Sequence, residues 1–198
     1  MADRTDVPAA VRAALLLLLV GVAWGAVAVP PAHGTQVIAA PIESLAERAD
    51  AVVRGTVVLV EPKVVDGRVS TVVRVVVAEQ LAGDAPGVVT LIARGGAGED
   101  LTTWVAGADR YAVGDEVIVF LVRRSDGYFE SMSLSWSLFL LVDPEWAVRD
   151  VDGLTLLRRS DSGGHELHVP ERSAVSVEEL RARVAAGRRA RAQGGGAR

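Results

Sequence analysis

The sequence predicts a mainly β protein: a small closed barrel with a short helix before it and a second helix after it. Three observations carry that expectation. Half of the 198 residues are hydrophobic, with valine prominent and Phe and Tyr sparse, and β-branched side chains suit a pleated, half-buried surface better than a helix. Five to seven short apolar or alternating segments are separated by Asp-Gly, Gly-rich and Pro-containing turn signals. There is no cysteine, so stability rests on an apolar core, and closure hides the edges that valine-rich strands would otherwise expose.

The chain starts with an export segment. Arg4 and Arg12 flank a start that leads into a run of about 17 apolar residues beginning at Ala13-Ala14-Leu15, the lower limit for spanning a bilayer. Pro30-Pro31 ends any helix there. Two small-x-small sites follow, Ala26-Val27-Ala28 and Ala32-His33-Gly34. Residues 1–34 are read as a bacterial-type signal peptide, with cleavage near Gly34 preferred over Ala28 and a retained anchor as the alternative. The implied location is secreted or periplasmic, with membrane contact only through that signal before cleavage.

A short amphipathic helix is expected from Pro41 to Ala49, with Ile42, Leu45 and Ala49 on one face. The barrel domain is placed at 35–158. Its strands are expected at Ala51 to Val60, Ser70 to Leu81, Val88 to Arg94, weakly around Thr102 to Val105, Glu116 to Arg124, Tyr128 to Leu134, Phe139 to Val142 and Leu154 to Arg158. Glu61-Pro62 and Asp66-Gly67 mark a loop, and Asp126-Gly127 a hairpin. Ser131, Ser133, Ser135 and Ser137 alternate with Met132, Leu134, Trp136 and Leu138, which reads as a strand with a solvent-facing serine ladder. Residues 159–175 are read as a linker. A C-terminal helix at 176–187 opens on the capping box Ser176-Val177-Glu178-Glu179 and stops at Gly187. The remainder, 188–198, is read as a basic, flexible tail.

Charge and motifs exclude several activities. The formal net charge is −4, and from Leu180 to the end there are six Arg and no acidic side chain. The body from Thr35 to Glu179 is therefore acidic, and a phosphate backbone gains nothing there from counterion release. The absence of cysteine removes disulfides, thiolate zinc sites and a thiol nucleophile. His165-Glu166-Leu167-His168 has an interval of three, whereas a zincin needs its histidines one helical turn apart at i and i+4; two exposed loop histidines are expected. Arg94-Gly95-Gly96-Ala97-Gly98-Glu99-Asp100 lacks the Lys-Ser/Thr of a phosphate loop and reads as a bulge or loop. Asp109, Asp115-Glu116, Asp143-Glu145 and Asp150-Asp152 are scattered acids and turn formers, with a weak calcium site at the last two as a minor alternative. Trp104, Trp136, Tyr128 and Phe129 raise the idea of a stacking platform, but core packing is the default for them.

The stretch Ala49-Asp50-Ala51-Val52-Val53-Arg54-Gly55-Thr56-Val57 resembles the opening of a group of exported bacterial β-barrel proteins with an Ala-Asp-x-Val-Val-x-Gly motif and no assigned activity. Thr71 to Val77, Leu81-Ala82-Gly83, Gly95-Gly96, Gly107 and Tyr111-Ala112-Val113-Gly114-Asp115-Glu116 fit the same pattern. The resemblance covers about Ile42 to Val142. The same order of features is similar to the netrin-like domain of tissue inhibitors of metalloproteinases, which implies an oligonucleotide/oligosaccharide-binding (OB) barrel. Those inhibitors chelate the protease zinc through a disulfide-pinned N-terminal cysteine. This chain has none, and an untethered amine lacks that pre-organisation, so inhibition by that route is not expected.

The expected function is an exported, non-enzymatic binding or interaction module, with a protein or cell-surface partner and no nucleic acid. Protease inhibition through loops is the alternative, and a weak metal-dependent enzyme the second alternative. No catalytic, cofactor-binding or metal-ligating residue is assigned, and no cofactor is expected.

Overall fold

The computed structural model describes residues 35–65, 67–160, 163–168 and 174–194; the signal-peptide reading of 1–34 lies outside them. Within these residues the protein is mainly β with a closed five-stranded barrel and two helices, one near the C-terminus. The barrel consists of β2 (Ala51–Val65), β3 (Arg68–Gly83), β4 (Val88–Arg94), β7 (Glu116–Arg123) and β8 (Phe129–Ser135). Antiparallel pairing links β7, β2, β3 and β4 in that order. Then β4 meets β8 in parallel at Leu91 and Phe129, and β8 pairs back onto β7. Counting barrel strands along the chain, the order around the barrel is 1-2-3-5-4-1.

Two cores follow from the period-two geometry of strands. Val117, Val119 and Leu121 of β7 face the barrel interior with Val53, Val57, Val73, Val75, Val89, Leu91 and Phe129. The intervening Ile118 and Phe120 join a second core with Ile42, Leu45, Ala46, Phe139, Leu180 and Val184. This second core belongs to α1 (Ile42–Arg48) and α2 (Val177–Gly194). A strand buried on both faces reads as a continuous apolar run, which is why β7 stands out in the sequence.

Beyond the barrel, β9 (Leu138–Leu141) pairs with β7, β10 (Trp146–Val148) with β9, and β13 (Ala174–Ser176) with β10. Strand β1 (Thr35–Ile38) runs parallel to β11 (Leu154–Arg159), which pairs with β12 (His165–His168) in a separate sheet. A small hairpin, β5 (Gly96–Ala97) with β6 (Thr102–Thr103), occupies the glycine-rich segment.

Several expectations are corrected. Glu61-Pro62 is not a loop: Pro62 pairs in register with Thr71, inside β2. β7 covers β2 only from Ala51 to Thr56, so the proline lies where its missing donor has no second neighbour to serve. The turn comes at Gly67, whose φ of 71° suits glycine. The serine ladder is not one solvent-facing strand. The chain turns at Trp136-Ser137, Leu134 adopts φ 53°, and Ser135 and Ser137 are buried. The 159–175 segment is no plain linker, since it contains β12 and the start of β13.

The C-terminal helix does not stop at Gly187 but continues to Gly194. Gly187 serves instead as a contact point: a Cβ there would collide with the carbonyl oxygen of Glu43 and touch Ala46. Helix α2 therefore approaches α1 closely at this residue. The first part of the basic tail is docked, not free. Arg188 and Arg191 each donate to the carbonyl oxygen of Ala49, at 3.0 and 2.9 Å. They satisfy an acceptor that the C-terminus of α1 leaves without an intrahelical donor.

Candidate functional site

A cleft with a volume of about 880 Å³ is bordered by the segment Ile38 to Ile42, α1, β11, β12 and α2. Its construction starts at the turn between β8 and β9. The hydroxyl of Ser137 donates to the carbonyl of Leu134 at 2.9 Å, and accepts from the backbone N–H of Ser133 at 3.0 Å. With Leu134 in the left-handed region, this turn directs the Trp136 ring out of the barrel strands. The indole Nε1–H then donates to the carbonyl of Ala40 at 2.9 Å.

Arg149 follows β10 and brings its guanidinium to this ring. Its central carbon lies 3.9 Å from the Trp136 ring centroid and 4.3 Å from that of Phe139. Nε and Nη2 are sealed from solvent and have no hydrogen-bond partner. Burial, and then the positive charge of Arg183, pull its pKa down to about 9. A desolvated cation gains about 2 kcal/mol from an aromatic face, but an uncompensated buried charge costs several. Stacking alone therefore leaves Arg149 short of a counter-charge.

The other arginines of the cleft differ. Arg183 is held by both carboxylate oxygens of Glu43, at 2.7 and 3.0 Å, and this pair lowers the Glu43 pKa through the hydrogen bond first. Arg158 is tied to Glu166 at 2.8 Å. Arg48 donates to the carbonyl of Ser44, at 3.3 Å. Glu47 is the acidic side chain among the lining residues, so the cleft is cationic although the body of the chain is acidic.

His165 and His168 are not loop residues. They begin and end β12, paired opposite Arg159 and Leu156, and both line the cleft. Among the described residues no group of three or more His, Cys, Asp or Glu is placed to hold a metal ion. Asp143 and Asp150 accept backbone N–H groups of Glu145, Trp146 and Asp152, the turn chemistry their sequence context implies. The four aromatics do not share a platform. Phe129 lies in the barrel core, Tyr128 sits under the Lys63 ammonium at 5.3 Å, Trp136 stacks on Arg149, and Trp104 is 77% exposed.

A second polar centre was not legible in the sequence. Asp109 is buried and accepts a hydrogen bond from the Ser131 hydroxyl. Its second carboxylate oxygen and the buried hydroxyl of Tyr111 beside it lack a well-formed hydrogen bond. Burial raises the Asp109 carboxyl to about 6 against the pull of Ser131, Tyr111 and Arg94. Burial and the Asp109 charge push the Tyr111 phenol well up. Asp109 looked like one scattered acid and Ser131 like a solvent-facing rung, because the loop that brings them together leaves no periodic signal.

Fold and site together define a mainly β protein with a closed five-stranded barrel and a cationic cleft beside it. No family model, no curated protein and no solved structure matches the chain.

Proposed function

We propose that this chain is an exported, non-enzymatic binding module on an OB-type barrel, and that its cleft receives a negatively charged ligand. The observation that carries this reading is Arg149, a partly buried guanidinium that stacks on two rings, lines the cleft and has no carboxylate partner among the described residues. Buried charges are ordinarily paired, and a ligand anion meeting the part of the guanidinium that lines the cleft supplies the missing partner. The 1-2-3-5-4-1 strand order with a parallel closing contact supports the OB-type assignment, which the netrin-like resemblance also favours. Export rests on the sequence of residues 1–34, and no helix among the described residues is long and apolar enough to cross a membrane.

The test is thermal unfolding of the mature chain with citrate, phosphate and chloride at matched ionic strength. A rise in Tm with citrate or phosphate that Arg149→Met lacks is the expected result. Equal curves for all three salts in the unsubstituted protein would remove the reading.

A second reading, protease inhibition through loops, is favoured by one feature. Trp104 is exposed immediately after the β5–β6 hairpin, as an aromatic anchor for a protein partner would be. Full activity of metallo- and serine proteases at micromolar concentrations of this chain would eliminate it.

A further inference from the structure

We infer that the Arg149 cleft is shaped for an amphipathic organic anion, one carrying a carboxylate or phosphate-ester head and an apolar body. The inference rests on the anion-binding reading above and narrows it to a ligand class.

Size is the first argument. A cleft of about 880 Å³ is in the range of small-molecule sites, and an inorganic anion would occupy only a small part of it. The distribution of chemistry is the second. The cations come from separate elements: Arg48 on α1, Arg158 on β11, Arg183 on α2 and Arg149 after β10. By contrast the contiguous stretch Ile38, Ala39, Ala40, Pro41 and Ile42 offers the cleft an apolar border without a charge. Ile38 is 57% exposed although it ends a strand paired with β11. An exposed isoleucine at the margin of a cationic cleft has no role in the core, and it has one if a hydrocarbon body lies against it.

The two parts are physically joined. Trp136 donates to Ala40 in the apolar stretch and stacks on Arg149. The head site and the body site are therefore held in fixed relation by one ring. Two of the arginines, Arg183 and Arg158, already have carboxylate partners. Arg149 and Arg48 are thus the lining arginines that a head group meets without a carboxylate partner among the described residues.

The experiment is isothermal titration of the mature chain with two homologous series at concentrations below micelle formation. One runs from acetate to decanoate, the other from inorganic phosphate to decyl phosphate. The expected result is an affinity that rises about fourfold for each methylene that becomes buried, the fold-change equivalent to about 0.8 kcal/mol. Ile38→Ser should flatten that dependence on chain length, and Arg149→Met should remove binding across both series. Circular dichroism confirms that each variant is folded. The better series identifies the head group. Affinity that is independent of chain length, with the short anions still bound, overturns the amphipathic class and leaves the anion site standing. Absence of binding in both series overturns the anion-binding reading itself.

Discussion

The guanidinium of Arg149 lies 3.9 Å from the ring centroid of Trp136, whose indole N–H is bonded to the backbone of Ala40. A cation, an aromatic face and the segment leading into α1 are thereby locked together. The arrangement brings a charge into a poorly solvated place and gives it no hydrogen-bond acceptor at Nε or Nη2. Core arginines selected for stability alone are normally paired.

The first consequence concerns stability without ligand. Replacing buried charges, even paired ones, by apolar residues of similar volume is often neutral or stabilising by about 1–4 kcal/mol. The lost cation–π contact, about 2 kcal/mol, works against this. Arg149→Met is therefore expected to change the stability of the free protein only slightly, from about 1 kcal/mol less to about 2 kcal/mol more, as measured by urea unfolding. A loss of several kcal/mol would mean that the stacking more than offsets burial, and that the site is structural.

Asp109 makes stability depend on pH in an unusual direction. Its folded pKa of about 6 lies above the ordinary value of 3.8. Between these values the native state holds more protons than the unfolded state, so stability falls as pH rises from about 4 to 6 and this contribution is level above that. Two pH units correspond to roughly 3 kcal/mol at most, with Arg94 easing the effect and Glu130 adding to it. Asp109→Asn should remove this slope and be at least as stable as the original at pH 7. Parallel urea titrations at pH 4, 5, 6 and 7 check it; identical pH profiles for the two proteins would contradict it.

Gly187 offers a case where helix propensity and packing disagree. Alanine is favoured over glycine inside a helix by about 1 kcal/mol. Here the added methyl would run into the backbone of Glu43, and overpacking costs about 1–3 kcal/mol. Gly187→Ala should therefore lower the midpoint of chemical unfolding, while the same change at the unobstructed Gly164 should not. A gain in stability at Gly187 would show that the two helices separate easily.

Arg188 and Arg191 close the end of α1 by bonding the Ala49 carbonyl. Hydrogen bonds to charged donors are worth about 1.5–3 kcal/mol when well protected, and less at this half-buried site. Replacing both with alanine should cost about 1–2 kcal/mol, and should speed hydrogen exchange at the amide of Ala49, which donates to Leu45. Unchanged exchange would mean that the final turns of α2 are detached in solution.

What could be read from the residues was whatever depends on neighbours along the chain. Period-two alternation and turn chemistry placed β4, β7 and β8 nearly to the residue, because strand faces and glycine turns are local properties. The amphipathic pattern of 41–49 and the capping box at Ser176 located both helices for the same reason. Glu179 N–H does donate to the Ser176 hydroxyl, at 3.0 Å. Local rules failed where a distant group supplied the answer. Gly187 looks like a stop signal unless one knows that Glu43 lies against it. Pro62 looks like a loop unless one knows that β7 ends before reaching it. Ser131 looks solvent-facing until Asp109 arrives from another loop.

By itself the sequence determined a cysteine-free, valine-rich β chain with a helix at each end, since burial preference and periodicity are carried by each segment alone. Only the tertiary structure decided that the barrel closes through a parallel contact between β4 and β8, and that an acidic chain contains a cationic cleft. Arg48, Arg149, Arg158 and Arg183 are spread over 136 positions of sequence, and no local pattern records that they line one cavity. Their convergence follows from how α1, α2 and the β11–β12 sheet pack, and the charge left unpaired on Arg149 is a property of that packing.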